Sequence, residues 1–106
     1  YENFYHGFLT GLLEYSDEYL VISNRESGTG RSDIIIKNVL TRDKAIIIEV
    51  KSSDNERALE TSCDTALRQI NEKHYDTELI ADGYKNILKY GIAFCQKRCH
   101  VKSATD

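Results

Sequence analysis

The chain has 106 residues, with Lys plus Arg 14 against Asp plus Glu 17 and an apolar fraction of 41%, the profile of one small globular domain spanning 1–106, with no room for a second core. No apolar run approaches the roughly 20 residues of a membrane-spanning helix, and the N-terminus lacks the basic and then apolar regions of a signal peptide. A net charge of −3 argues against a domain that grips nucleic acid by bulk electrostatics, although contact through a local patch survives that objection.

Tyr1, Phe4, Tyr5, Phe8, Leu9, Leu12 and Leu13 recur at helical intervals and predict an amphipathic N-terminal helix whose stripe faces a sheet. Tyr19 to Ser23 has β character that runs on to Glu26, and Gly28 and Gly30 permit the positive φ of a tight turn into the next strand. Ile34 to Ile36 and Ala45 to Ile48 are continuous apolar runs rich in β-branched residues, as expected of central strands covered on both faces. Asn38 to Lys44 supply the reversal between them. Ser53, Asp54 and Asn55 offer N-cap chemistry to a helix in which Ala58, Leu59, Cys63, Ala66, Leu67 and Ile70 repeat through about His74. A short helical or looped link from Asp76 to Lys85 leads to a strand from Ile87 to Cys95, and His100 to Lys102 add a last short one. The predicted order is α, β, β, β, α, β with a further short β, in one α/β unit that contains no proline.

Cys63, Cys95 and Cys99 form an odd set without paired spacing, which fits reduced thiols in a cytoplasmic protein better than a secreted disulfide framework. Cys95, Cys99 and His100 have neither the spacing of a zinc finger or ribbon nor an evident fourth ligand. The chain contains no Met and so not its own initiator, which leads to the expectation that it is excised from a longer protein. Gly28-Thr-Gly-Arg lacks the Gly-x-x-x-x-Gly-Lys pattern of a nucleotide-binding loop.

The chemistry-bearing residues lie in Arg31 to Lys37 and Ala45 to Lys51. If the two apolar runs form an antiparallel hairpin, a register pairing Ile35 with Ile47 brings Asp33 opposite Glu49. Strand alternation then gathers Arg31, Asp33, Glu49 and Lys51 on one face. Opposed carboxylates repel and weaken a hairpin unless a cation lies between them. One reading is a divalent ion, for which hard oxygen ligands suit Mg²⁺ or Mn²⁺; the other is a charged strand-end cluster in which Arg31 and Lys51 neutralise the two acids.

Glu2–Leu9, Ser23–Asp33, Ile46–Lys51, Ala66–Ile70 with Tyr75, and Tyr90–Phe94 together resemble the PD-(D/E)XK nuclease superfamily, in particular a prokaryotic branch whose nuclease-like domain often follows an ATPase-like domain. The resemblance implies a restriction-endonuclease-like αβββαβ core with a central mixed sheet flanked by helices. It implies metal-dependent hydrolysis of phosphodiester bonds in DNA or RNA, with Mg²⁺ (or Mn²⁺) as cofactor, nucleic acid as partner and an upstream ATPase-like domain in the parent chain. A non-catalytic nucleic-acid-binding or regulatory module is the rival reading. Asp33 stands at the family's metal-binding aspartate, Glu49 at its second acidic ligand and Lys51 at its catalytic lysine. Gln69 resembles the helix glutamine of recombination-type nucleases, although its tyrosine partner, Tyr75, lies farther along than in the commoner motif, and Ser32 replaces the usual proline before the aspartate.

Accessory candidates are Glu2, as a first-helix acid; His6, one helical turn from Glu2; Arg31, as a phosphate contact; and Tyr75. For His6 an exposed helix pair is the simpler reading, and for Arg31 a salt bridge to Glu49 is the alternative. Lys85, Lys89, Lys97, Arg98 and Lys102 give the C-terminal third a basic bias that suits either a phosphate backbone or a solvated face.

Overall fold

In the computed structural model, residues 19–26 and 31–104 are described, the side chains of 24–26 and 31–32 excepted. The expected N-terminal helix with Glu2 and His6, the turn at 27–30 and the Arg31 side chain lie outside them. Three strands come first: β1 (Tyr19–Glu26), β2 (Arg31–Asn38) and β3 (Lys44–Ser52). A 3₁₀ turn, Glu56–Ala58, leads into helix α1 (Leu59–Lys73), a second helix α2 (Tyr75–Ala81), and strands β4 (Asn86–Cys95) and β5 (Arg98–Ser103). The strands form one mixed sheet in the order β1-β2-β3-β4-β5. Its pairings are antiparallel except for β3 with β4, which run parallel and are joined through the two helices. The α/β class and mixed sheet agree with the sequence, and the short link resolves as α2. No helix among the described residues is long and apolar enough to cross a membrane.

The β2–β3 hairpin closes as its sequence requires. Asn38 Oδ1 accepts from the backbone N–H groups of Leu40 and Thr41, both at 3.1 Å, and Arg42 N–H donates to the Asn38 carbonyl at 3.0 Å, so a buried Asn side chain organises the turn. The register pairs Ile34 with Ile48, Ile35 with Ile47 and Ile36 with Ile46. Ile35, Ala45 and Ile47 face Ile70 of α1 and Leu79 of α2, while Ile34, Ile36, Ile48 and Val50 form a second cluster. Both faces are therefore apolar, and each fully buried Ile contributes roughly 1.5–3 kcal/mol. A one-residue slip would swap every side chain to the other face and carry Asp33 into an aliphatic layer, so the register is strongly fixed.

Asn55 Oδ1 accepts from the Ala58 N–H at 3.0 Å and so caps the 3₁₀ turn rather than α1, whose own N-cap, Ala58, has no side-chain cap bond; the cap chemistry of the Ser53–Asn55 segment is used one turn earlier than its sequence predicts. Helix α1 buries Leu59, Cys63, Ala66 and Ile70 and ends at His74, whose φ of 58° turns the chain directly into α2. Close approach of α1 to the sheet depends on Gly91, the register partner of Glu49. A Cβ there would lie 2.6 Å from the Cys63 carbonyl oxygen and 3.1 Å from Ala66 Cβ. Gly91→Ala is therefore expected to push α1 off β4 and destabilise the protein by about 1–3 kcal/mol, read as a lower urea midpoint. An unchanged midpoint would show that the helix can shift without loss.

Candidate active site

Asp33 and Glu49 are direct register partners across β2 and β3. Strand alternation aims both at the face carrying Ile35, Ile47 and α1, where they are 1% and 0% exposed. Two carboxylates stripped of water at adjacent positions need a positive charge. Lys73, the last residue of α1, supplies it. Its Nζ donates to Asp33 Oδ2 at 2.7 Å and to Glu49 at 3.2 Å (Oε2) and 3.5 Å (Oε1), and its own side chain is only 8% exposed.

The cation between the acids is thus a helix lysine that the strand-end reading did not include. A signal for it exists in the sequence. The buried stripe Leu59, Cys63, Ala66, Ile70 advances by four, three and four, so the next inward position is 73, where a lysine stands in place of an apolar residue. A cation at a position due for the core implies a buried anion opposite it.

Burial drives the Glu49 carboxyl up to about 7 from 4.5; Lys73 pulls it down, the nearby Asp33 charge adds to the rise, and Lys51 opposes it. Burial also works against charge on Lys73, but the hydrogen bond to Asp33 and the negative charges of Glu49 and Asp33 outweigh it and hold the ammonium above its ordinary value. Near neutral pH the trio therefore carries one firm cation and a carboxylate poised to take up a proton.

Lys51 follows Glu49 on the same face of β3. It is half-buried, and no hydrogen bond or ion pair engages its side chain among the described residues. Gln69 sits one helical turn before Lys73 on α1, and among the described residues its buried Oε1 has no hydrogen-bond partner, so it accepts nothing from Lys51. Tyr75 opens α2 and packs against the cluster of Ile35, Ile47 and Ile70.

The C-terminal basic residues are largely neutralised. Lys89 pairs with Asp76 at 3.2 Å, Arg98 with Glu56 at 2.8 Å and Lys102 with Asp64 at 2.7 Å. Tyr84 is buried in the α-side core, and Tyr90 packs, half-buried, on the opposite face.

A point within 3.2 Å of two buried carboxylates, already held by an ammonium, is chemically suited to a hard cation. No cluster of three or more His, Cys, Asp or Glu forms a metal site among the described residues. The residues present fit Mg²⁺ or Mn²⁺, which keep several waters and commonly take only one or two protein carboxylates. Comparison with curated proteins gives no match, and comparison with solved structures gives none. A family model described as the PD-(D/E)XK nuclease superfamily matches residues 1–104, and the chain belongs to that superfamily, whose members are generally nucleases.

Proposed function

We propose that the domain is a metal-dependent nuclease that hydrolyses phosphodiester bonds in DNA or RNA. The observation that carries this reading is the convergence of Asp33 and Glu49 on one cation seat, with Lys51 two residues farther along β3. Asp33 and Glu49 hold the ion, Mg²⁺ or Mn²⁺. When bound, that ion supplies a Lewis acid for the phosphate and lowers the pKa of an attacking water. Lys51, whose side chain is unengaged among the described residues, orients the water or stabilises charge developing on the phosphate. Gln69, whose buried oxygen is unsatisfied among the described residues, and Glu2 assist as polar contacts. The three free thiols fit the reducing cytoplasm as its compartment.

A second reading has its own observation behind it. Lys73 already neutralises the carboxylates, which suits a binding or regulatory module, attached to an ATPase-like domain, in which the ammonium replaces the metal for good.

Labelled single- and double-stranded DNA and RNA, incubated with Mg²⁺, Mn²⁺ or EDTA, separate the two. Under the nuclease reading cutting requires the metal, and Lys51→Ala lowers it by on the order of 10²–10³-fold. The same substitution shifts stability by no more than about 1 kcal/mol, because no hydrogen bond or ion pair engages the Lys51 side chain among the described residues and only its charge near Glu49 is lost. Equal cutting by wild type and Lys51→Ala preparations, or none by either, would favour the second reading.

A further inference from the structure

We propose that the Lys73 ammonium is a resident cation that occupies the metal seat in the metal-free protein and leaves it when a divalent ion enters. The inference rests on the reading of Asp33 and Glu49 as metal ligands and adds a regulatory step to it.

Three observations carry it. The ammonium touches both carboxylates, at 2.7 and 3.2 Å, so it stands where an ion bridging them would stand. The three side chains are 8%, 1% and 0% exposed, so there is little solvent to screen a second positive charge beside the first. A hard divalent ion binds its oxygen ligands at roughly 2.0–2.1 Å, closer than the ammonium does, and the two therefore compete for one place. Lys73 is also built to leave. It is the last residue of α1, directly before the left-handed His74, and its flexible four-carbon stem can swing the ammonium out without moving the helix.

Competition of this kind makes the apparent metal affinity equal to the intrinsic affinity multiplied by the fraction of molecules whose seat is open. Wild-type protein thus binds metal more weakly than its two carboxylates alone allow, and the site stays closed at low ion concentration. A phosphate brought by the substrate adds a ligand for the ion and an anion for the displaced ammonium, so substrate and metal would enter together.

The test uses Mn²⁺ alone, without nucleic acid. Calorimetric titration should give Lys73→Met a dissociation constant at least about tenfold lower than wild type, since Met keeps the apolar stem and removes the charge. Glu49→Gln should lose the same binding. In parallel, acetylation of wild-type lysines followed by mass spectrometry should find Lys73 slow in EDTA and several times faster in saturating Mn²⁺, with exposed Lys85 and Lys97 as constant references. This second measurement decides the question if Lys73→Met fails to fold. Equal or weaker Mn²⁺ binding by Lys73→Met, or Lys73 equally slow with and without the ion, overturns the inference and leaves the nuclease reading standing. Absence of Mn²⁺ binding by both wild type and Lys73→Met, or undiminished binding by Glu49→Gln, overturns the metal reading and the inference with it.

Discussion

Lys73→Ala is expected to destabilise the metal-free protein by about 3–5 kcal/mol at pH 8, the cost of leaving buried charge without its partner. The size follows from what stays behind. Asp33 and Glu49 are both essentially inaccessible to water, sit directly opposite each other on neighbouring strands, and lose the ammonium that contacts both. A domain of this size holds roughly 5–15 kcal/mol in total, so the variant should lie near the edge of folding. Urea denaturation in EDTA measures it. A variant as stable as wild type at pH 8 would show that water or another cation reaches the carboxylates freely.

The same variant should recover as the pH falls. In the wild type Glu49 has a folded value near 7 against 4.5 for the free side chain, so between those values the folded chain keeps a proton that the unfolded chain has released. Stability consequently declines as pH rises through that window, and the full cost, about 3 kcal/mol, is present above it. Because Lys73 holds the Glu49 value down, its removal raises that value further. The decline in Lys73→Ala should be steeper and reach higher pH, and the gap between the two proteins should narrow at pH 5.

How far the site was legible depended on which structural period carried it. Strand alternation is rigid, so the pairing of Ile35 with Ile47 placed Asp33 against Glu49 and the structure has that register. The same arithmetic put Lys51 beside them but contained nothing about the helix above. Lys73 became visible only where the helical stripe of Leu59, Cys63, Ala66 and Ile70 is continued by one step, and a lysine at the end of a helix is otherwise explained by the helix dipole. The height of α1 over the sheet had no local signal. It is set by Gly91 beneath Cys63 and Ala66, and a glycine in a strand reads from sequence only as a weak strand residue. Helix α2 was equally faint, since its seven residues bury only Leu79 and a single inward position defines no period. The left-handed His74 between the helices lacks the glycine or asparagine that usually marks such a helix end in a sequence.

Glu49→Gln should separate function from stability more sharply than any other single change. The amide keeps the shape of the side chain at a fully buried position but is a poor ligand for a hard cation, so under the nuclease reading metal-dependent cleavage is abolished. Stability in EDTA should move the other way. Lys73 remains paired with Asp33 at 2.7 Å, which leaves one cation facing one anion where the wild type has one facing two. What is lost is the 3.2 Å contact of Lys73 with a charged Glu49; what is relieved is burial of that charge, which dominates the rise of its carboxyl to about 7. Above pH 7 relief exceeds loss, and a gain of about 1–3 kcal/mol is expected after allowing for an amide that must find its own hydrogen bonds. Near pH 4.5 the wild-type carboxyl is protonated in the folded state and the two proteins should converge. Parallel urea titrations at pH 5 and 8 decide it: a variant less stable at pH 8 than at pH 5 by the same margin as wild type would show that another group carries the pH dependence. A sharp fall in stability at pH 8 would mean that the Lys73–Glu49 contact outweighs the burial of Glu49's charge, so that Glu49 holds the metal-free fold together.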